Sequence, residues 1–573
     1  MNKVNMAAAA GDVVHPWSRV YPKDIDWNAP IPARPLNSLI DEAVDSHPDV
    51  VCTNFLGRCL TYRQIGEKVE EAAAALQELG VKKGTRVGLF LPNSPTYIVY
   101  FFAILKVGGI VVNLNPLYAI EELAFQAEDS GLELLVTLDL KTLFEKVEPL
   151  VERGVVPKAV IASFPALLPG TKAALFKLFK SGELARPLAS PVTDRLVREA
   201  DIIKAGNTPE PVEIDPEKDL AVLQYTGGTT GTPKGAMLTH YNIFANAEQV
   251  ARWAPHLVRG QERFMGVLPF FHVFALTVVM NFAIRTASTI IVLPRFEMVA
   301  LMKLIHSHKP TVMPAVPTLF NAILNYPQAR SYDLSSLKFC ISGGAPLPLA
   351  VKRGFEEVST CVVVEGYGLT EASPVVTCNA AEGPVREGSI GMPLPRTEVS
   401  LRDLEDPELE VPPGEKGEFC VRWPQVMLGY LHLPDETAAV FTPDGWLRTG
   451  DVARMDKDGL FSIEDRIKDL IICSGYNVYP RQVEEAIYTH PAVAEVTVIG
   501  IEDSYRGEAP KAFIKLKDGA TADEADILAH LETRLSKIEQ PAQIEFRDEL
   551  PKTMIGKLSK KELRELENER TKD

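Results

Sequence analysis

The sequence predicts an α/β protein: a large N-terminal domain of two parallel-sheet units plus a small β-barrel, followed by a smaller α+β domain. Three observations carry that expectation. Strand and helix patterns alternate through two long stretches, as in parallel sheets whose strands are joined by crossover helices. A Gly- and Pro-rich run of short strands, Gly391 to Phe461, comes next. Beyond it helix and strand mix again, which sets the boundary between domains 1–465 and 466–573. A chain of 573 residues also exceeds what one hydrophobic core holds.

Between Leu36 and Pro116, LNSLIDEAVDSH and YRQIGEKVEEAAAALQELG carry apolar residues at helical spacing, whereas RVGLFLP and GIVVNLNP are short apolar runs that read as buried strands. LELLVTL and KAVIAS extend the series. Phe164 to Ala205 is poorer in strand signal and reads as an insertion or a helical excursion over the surface. A second alternating region runs from Asn242 to Asn379. Its stretch Val267 to Ile284 is as long as a membrane span, but Pro269, His272 and Asn281 interrupt it, so a buried helix entered from a strand is expected. EVSLRD, GEFCVRW and LFSIED supply the strands of the barrel. In the last domain VEEAIYTH, ADILAHLETRLSK and KLSKKELRELENER read as helices, and VAEVTVIGI and KAFIKLK as strands.

Composition narrows the function classes. Hydrophobic residues make up 46% and charged residues 24%, an ordinary globular balance. A net charge of -16 argues against nucleic acid or an anionic membrane as a general partner, because both demand basic stripes. The sequence leaves a local peripheral membrane contact open. Seven cysteines show neither CxxC nor Cys/His spacing, so a reduced, cytoplasmic setting is expected, without structural zinc. The first residues lack the apolar core of a signal peptide.

The strongest chemical signal is YTGGTTGTPKG, Tyr225 to Gly235, following the strand AVLQ. Glycines let backbone N–H groups approach phosphate oxygens, threonine hydroxyls add donors, and Lys234 adds a cation. Thr226, Gly227, Gly228, Thr229, Thr230, Gly231 and Lys234 are therefore candidate phosphate contacts. This is not the Walker pattern, since Pro233 precedes the lysine and no Ser or Thr follows it. No GxSxG nucleophile elbow is present.

With this loop, and with LPFFHVFAL, SGGAPL, EGYGLTE, WLRTGD and PKTMIGK following in order, the chain resembles the adenylate-forming superfamily of acyl-CoA synthetases, luciferases and peptide-synthetase adenylation domains. It is most similar to the bacterial long-chain fatty acyl-CoA synthetases, from about Leu36 to Arg564. The resemblance implies activation of a fatty acid by ATP and Mg²⁺ as an acyl-adenylate, then transfer to CoA. It implies that His272 lies beside the substrate carboxylate, and that Gly343, Gly344, Ala345, Glu365 and Gly366 border the adenine on which Tyr367 stacks. Thr370 would reach the α-phosphate, and Glu371 with Thr226 would hold the metal. Asp451 and Arg466 would take the ribose, and Lys557 would drive adenylation. The C-terminal domain would be mobile, rotating about Lys468 to bring Gly475 to a pantetheine channel. A homodimer is also expected.

The presumed acyl region, Met265 to Asn325, contains a single acid, Glu297. An amino-acid substrate would need a carboxylate beside FHVFAL for its ammonium group, so an alkyl acid fits better. Dicarboxylic and aryl acids, and a carrier-protein acceptor, remain alternatives. Ile538 and Glu539 stand where many relatives have Tyr-Lys, and Ile472 where some have lysine. Those departures bear on the thioester half-reaction.

Overall fold

The structure is a computed structural model and describes residues 15–226, 233–381, 386, 388–474, 476–503, 505–553 and 556–570. Its first sheet has seven strands, in the order Leu196–Arg198, Ala159–Ala162, Leu134–Leu138, Arg86–Leu89, Ile110–Asn113, Leu220–Thr226 and Lys234–Thr239. All neighbours are parallel except the last pair. The central strands are buried along their whole length because helices cover both faces, which is why they read as unbroken apolar runs. Helix Pro95–Lys106 shows how sequence sets such a cover. Pro95 begins it and the Ser94 hydroxyl accepts from Tyr97 N at 3.3 Å, satisfying a donor that the first turn leaves free.

The second sheet has nine strands: a parallel centre of Val362–Gly368, Phe339–Ser342, Val312–Ala315, Arg263–Gly266, Thr289–Val292 and Val51–Phe55, with antiparallel strands at both edges. The N-terminal hairpin thus crosses into the second unit, Val51–Phe55 pairing parallel with Thr289–Val292. The two units share one hydrophobic cluster, from Trp17 to Phe461.

The expected barrel is an open antiparallel sheet of four strands, Glu398–Arg402, Lys416–Arg422, Leu447–Met455 and Phe461–Arg466. Four strands do not enclose a core of their own. Phe419, Val421, Leu447 and Phe461 are instead buried in the main cluster. Residues 471–563 carry two separate small clusters, one around Val483, Val498 and Ile527, the other around Phe513, Leu550 and Leu563. Their sheet joins Tyr476–Val478, Ile471–Cys473, Gly507–Leu516, Val493–Asp503 and Gln543–Phe546. The closing helix starts at Lys560, later than KLSKKELRELENER predicts, because Thr553 N donates to Lys557 O and Leu558 pairs antiparallel with Lys552.

The segment from Phe164 to Ala205 is a surface excursion: a helix Gly170–Phe179 with no buried residue, a series of 3₁₀ turns, and the edge strand Leu196–Arg198. Val267–Ile284 contains a buried helix that begins only at Val273 and passes through a π turn, Leu276–Asn281. Among the described residues no helix is long and apolar enough to cross a membrane.

Candidate active site

The phosphate-loop segment is flanked by two paired strands. Strands Leu220–Thr226 and Lys234–Thr239 pair antiparallel with Thr226 opposite Lys234, so the two ends of the loop are tied together. Gly227, Gly228, Thr229, Thr230 and Gly231 lie outside the described residues. Lys234 Nζ is 2.5 Å from Glu436 Oε2 and 5.2 Å from the centre of the Tyr430 ring. The Tyr430 hydroxyl in turn donates to Glu371 Oε1 at 2.7 Å. The cation and the carboxylate expected to meet phosphate and metal are therefore both held by one short stretch, residues 430–436. Thr370 opens the adjacent 3₁₀ turn, Thr370–Ala372.

Asp451 and Arg466 are directly opposite on neighbouring antiparallel strands. Arg466 Nε lies 3.2 Å from Asp451 Oδ1, and the Tyr367 hydroxyl donates to Oδ2 at 2.5 Å. Each carboxylate oxygen keeps a further lone pair, so the aspartate can still accept a vicinal diol. Phe419 braces the Tyr367 ring edge-on, with centroids 5.3 Å apart. Burial, then the Asp451 charge, pushes the Tyr367 phenol up, so it stays a donor.

Glu365 has a structural task. Its Oε2 accepts from Leu347 N at 2.6 Å, which anchors the SGGAPL turn, and burial raises its pKa. Within that turn a Cβ on Gly343 would come within 2.9 Å of the Phe274 ring. Gly344 has φ +85°, and a Cβ there would meet Lys557 Cε at 2.8 Å. Glycine at 344 is thus favoured by backbone conformation, while the flexible end of the lysine that passes over it could shift. Gly366 has no such constraint, since a Cβ there makes only ordinary contacts. Ala345 lines the same cleft.

His272 caps the helix after it: Nδ1 accepts from Phe274 N at 3.3 Å, which leaves the ring proton on Nε2. Burial, reinforced by Lys557, lowers its pKa to about 3, so it serves as a neutral N–H donor. Lys557 itself is lowered to about 8 by burial and by the Arg466 charge, with Asp451 opposing. Lys557 reaches the cleft because its loop is tied down. Thr318 Oγ1 donates to Gly556 O at 2.7 Å, Asn321 Nδ2 to Ala494 O at 3.3 Å, and Arg481 N to Asp465 Oδ2 at 2.8 Å. These hydrogen bonds join residues on the two sides of position 466.

Lys468 lies in the turn Ile467–Asp469 between those sides, where burial and Arg466 lower its pKa. Arg564 pairs with Asp469 at 2.8 Å and holds the turn. Gly475 lies outside the described residues. The cleft lined by both sides has a volume of about 2360 Å³, well above the ~300–1,000 Å³ usual for one small ligand. It has room for several substrates at once.

Residues 40–431 match the family of AMP-binding enzymes, and residues 482–557 match the AMP-binding enzyme C-terminal domain. The chain belongs to this family. The AMP-binding enzyme is 44% identical over 556 residues to a long-chain-fatty-acid–CoA ligase of Bacillus subtilis (strain 168), covering 97% of this chain and 98% of that one. Among solved structures it is similar to ATP-bound MatB from Rhodopseudomonas palustris, with 28% identity, a TM-score of 0.79, and coverage of 93% of this chain and 99% of the other. The apo form of MatB, at the same identity and coverage, gives 0.72.

The structure also brings in residues that the motifs of this AMP-binding enzyme do not reveal. Tyr430 and Glu436 hold Glu371 and Lys234, and Thr449 Oγ1 accepts from Asp451 N at 3.1 Å. Phe274 packs on Gly343, and Thr318 docks Gly556. A tyrosine in PQVMLGY was the only signal for the first of these. Glu539, where many relatives carry lysine, accepts from Ser536 N at 2.9 Å and Ser536 Oγ at 2.7 Å, a local turn cap. Ile472 is exposed.

Proposed function

We propose that the chain is an ATP-dependent long-chain fatty acid–CoA ligase that works through an acyl-adenylate. The observation that carries this reading is the meeting of Lys557, from beyond position 466, with His272, Asp451 and Arg466 around Gly344. Such a constellation brings one mobile cation to the place where an acid carboxylate and the α-phosphate of a nucleotide must meet.

In the first half-reaction a carboxylate oxygen attacks the α-phosphorus, the bond to pyrophosphate breaks, and acyl-AMP forms. No side-chain nucleophile is needed, so catalysis rests on positioning and charge. The His272 Nε2–H orients the carboxylate, and the Lys557 ammonium offsets the charge shared between acyl oxygen and phosphate. Tyr367, Asp451 and Arg466 hold the nucleoside, with Gly344 and Ala345 alongside, and Thr370 meets the α-phosphate. The segment between Thr226 and Lys234 receives the pyrophosphate once Glu436 yields the lysine.

Among the described residues no group of three or more His, Cys, Asp or Glu could hold a metal. Glu371 with the Thr226 hydroxyl is a donor set too small for a cation alone, but it suits Mg²⁺ arriving on nucleotide phosphates. When bound, the ion supplies charge neutralisation on the phosphates.

In the second half-reaction the CoA thiol, giving up its proton, attacks the acyl carbonyl and AMP leaves. Domain 466–573 turns about Lys468 for this step, withdrawing Lys557 and bringing the face near Gly475 to the cleft. The separate hydrophobic clusters on either side of 466 support an independent C-terminal body.

The test is ATP–pyrophosphate exchange with a panel of acids, followed by CoA addition and measurement of AMP and thioester. Exchange that needs a long-chain acid, with thioester formed, is the expected result. No exchange with any acid would sink the catalytic reading. Adenylate that accumulates without thioester would sink CoA as the acceptor.

A further inference from the structure

Helix Gly170–Phe179 reverses the usual surface pattern. Ala173 and Phe176 face the body, where Phe176 meets Phe164 with ring centroids 5.2 Å apart. The outward face carries Ala174, Leu175, Leu178 and Phe179. Leu175 is 56% exposed, Leu178 71% and Phe179 76%, and Leu188 in the following turn is 68% exposed. Scattered apolar residues on a surface need no explanation, but a cluster on one helix face marks a contact. At 100° per residue, Lys172 and Lys177 lie on the two flanks of this stripe; Lys172 Nζ donates to Leu56 O at 2.7 Å, an exposed contact that headgroups can replace, and Lys177 is exposed.

Charge identifies what the face would meet. The chain has 76 acids to 60 bases, yet residues 164–182 contain Lys172, Lys177 and Lys180 and no acid at all. The first acid, Glu183, makes an exposed pair with Lys180 at 2.9 Å, a contact that exchanges readily. A second copy of the chain would set these lysines against their own symmetry mates, since a two-fold contact brings the same patch together. An anionic bilayer surface answers both halves of the pattern, taking the leucines and the phenylalanine into its acyl boundary and the lysines at its headgroups.

We propose that helix Gly170–Phe179 docks this enzyme on anionic membrane surfaces, lying in the interface with Leu175, Leu178 and Phe179 inserted. The proposal reconciles the net charge of -16 with membrane contact by confining that contact to one acid-free segment.

The test is co-sedimentation of the full chain with phosphatidylglycerol vesicles and with phosphatidylcholine vesicles. The wild type is expected to pellet with the anionic vesicles, at least tenfold more weakly with the zwitterionic ones, and less at raised salt. Leu178→Asp with Phe179→Asp should weaken binding tenfold or more. Its exchange activity with a short water-soluble acid should be unchanged, because neither side chain is buried or near the cleft. Lys177→Glu should remove the preference for anionic vesicles. The proposal is overturned if the wild type stays in the supernatant, or if the double variant binds as the wild type does. It is equally overturned if gel filtration shows a dimer that the double variant abolishes while vesicles capture neither protein.

Discussion

The body before position 466 and the unit after it are built differently. The body has one continuous hydrophobic cluster drawn from both large sheets and the four-stranded sheet. The C-terminal unit has two small clusters of its own, and no residue of those clusters or packed on them comes from the body. The contacts that join the two include hydrogen bonds at Thr318, Asn321, Ile463, Glu464 and Asp465 and the Lys416 ammonium 3.6 Å from the centre of the Tyr479 ring. The body is made to hold substrates in fixed places. Under the proposed function, the C-terminal unit would deliver one lysine and then be released.

The sharpest way to break that comparison is to remove the delivered group. Lys557→Ala should lower the adenylation rate about 10²–10³-fold, the cost typical of losing one electrostatic stabiliser, while thioester formation from supplied acyl-AMP persists. Equal loss in both assays would mean that Lys557 holds the fold rather than the reaction. Lys468→Pro should act in the opposite sense, slowing thioester formation by about tenfold or more and adenylation less, if the turn is a hinge whose backbone must change. Adenylation and thioester rates measured separately decide it.

A pH profile sharpens the same contrast. Lys557 must be charged to act, and burial with the Arg466 charge holds it near 8. The kcat/KM for adenylation, which reports the free enzyme, should therefore fall as pH rises through about 8. Lys557→Arg should remove that alkaline limb, because arginine stays protonated. His272, lowered to about 3, contributes no acid limb between pH 5 and 7. The smallest effect is expected at the seam itself. Thr318→Val deletes the bond to Gly556 O and should cost about 1 kcal/mol of the docked arrangement, read as a several-fold slower adenylation with stability of the body unchanged in thermal unfolding.

Much of this was legible in sequence. Strands such as Ile110–Asn113 and Ala159–Ala162 are buried on both faces, and continuous burial writes itself as a continuous apolar run. The helix Tyr62–Glu78 announced itself by its apolar period. The candidate site residues came from motif order, and the cleft is lined by those that are described, Gly343 excepted. What stayed hidden depends on long-range pairing. The hairpin Val51–Thr61 joins a strand more than two hundred residues later, and no local period records that partner. The four-stranded sheet read as a barrel because strand signals do not say whether a sheet closes or leans on a neighbour. Tyr430 and Glu436 meet partners 59 and 202 positions away, so their sequence neighbourhood says nothing of the task.

The hydrogen-bonded seam has a consequence for life in a crowded solution. A joint sealed by leucines would bare an adhesive face each time it parted, and every turnover would carry a chance of clumping. Here Thr318, Asn321 and Asp465 meet their partners through hydrogen bonds, groups that water would satisfy if the joint parted. If domain 466–573 turns as proposed, such a joint lets it open and close without becoming sticky.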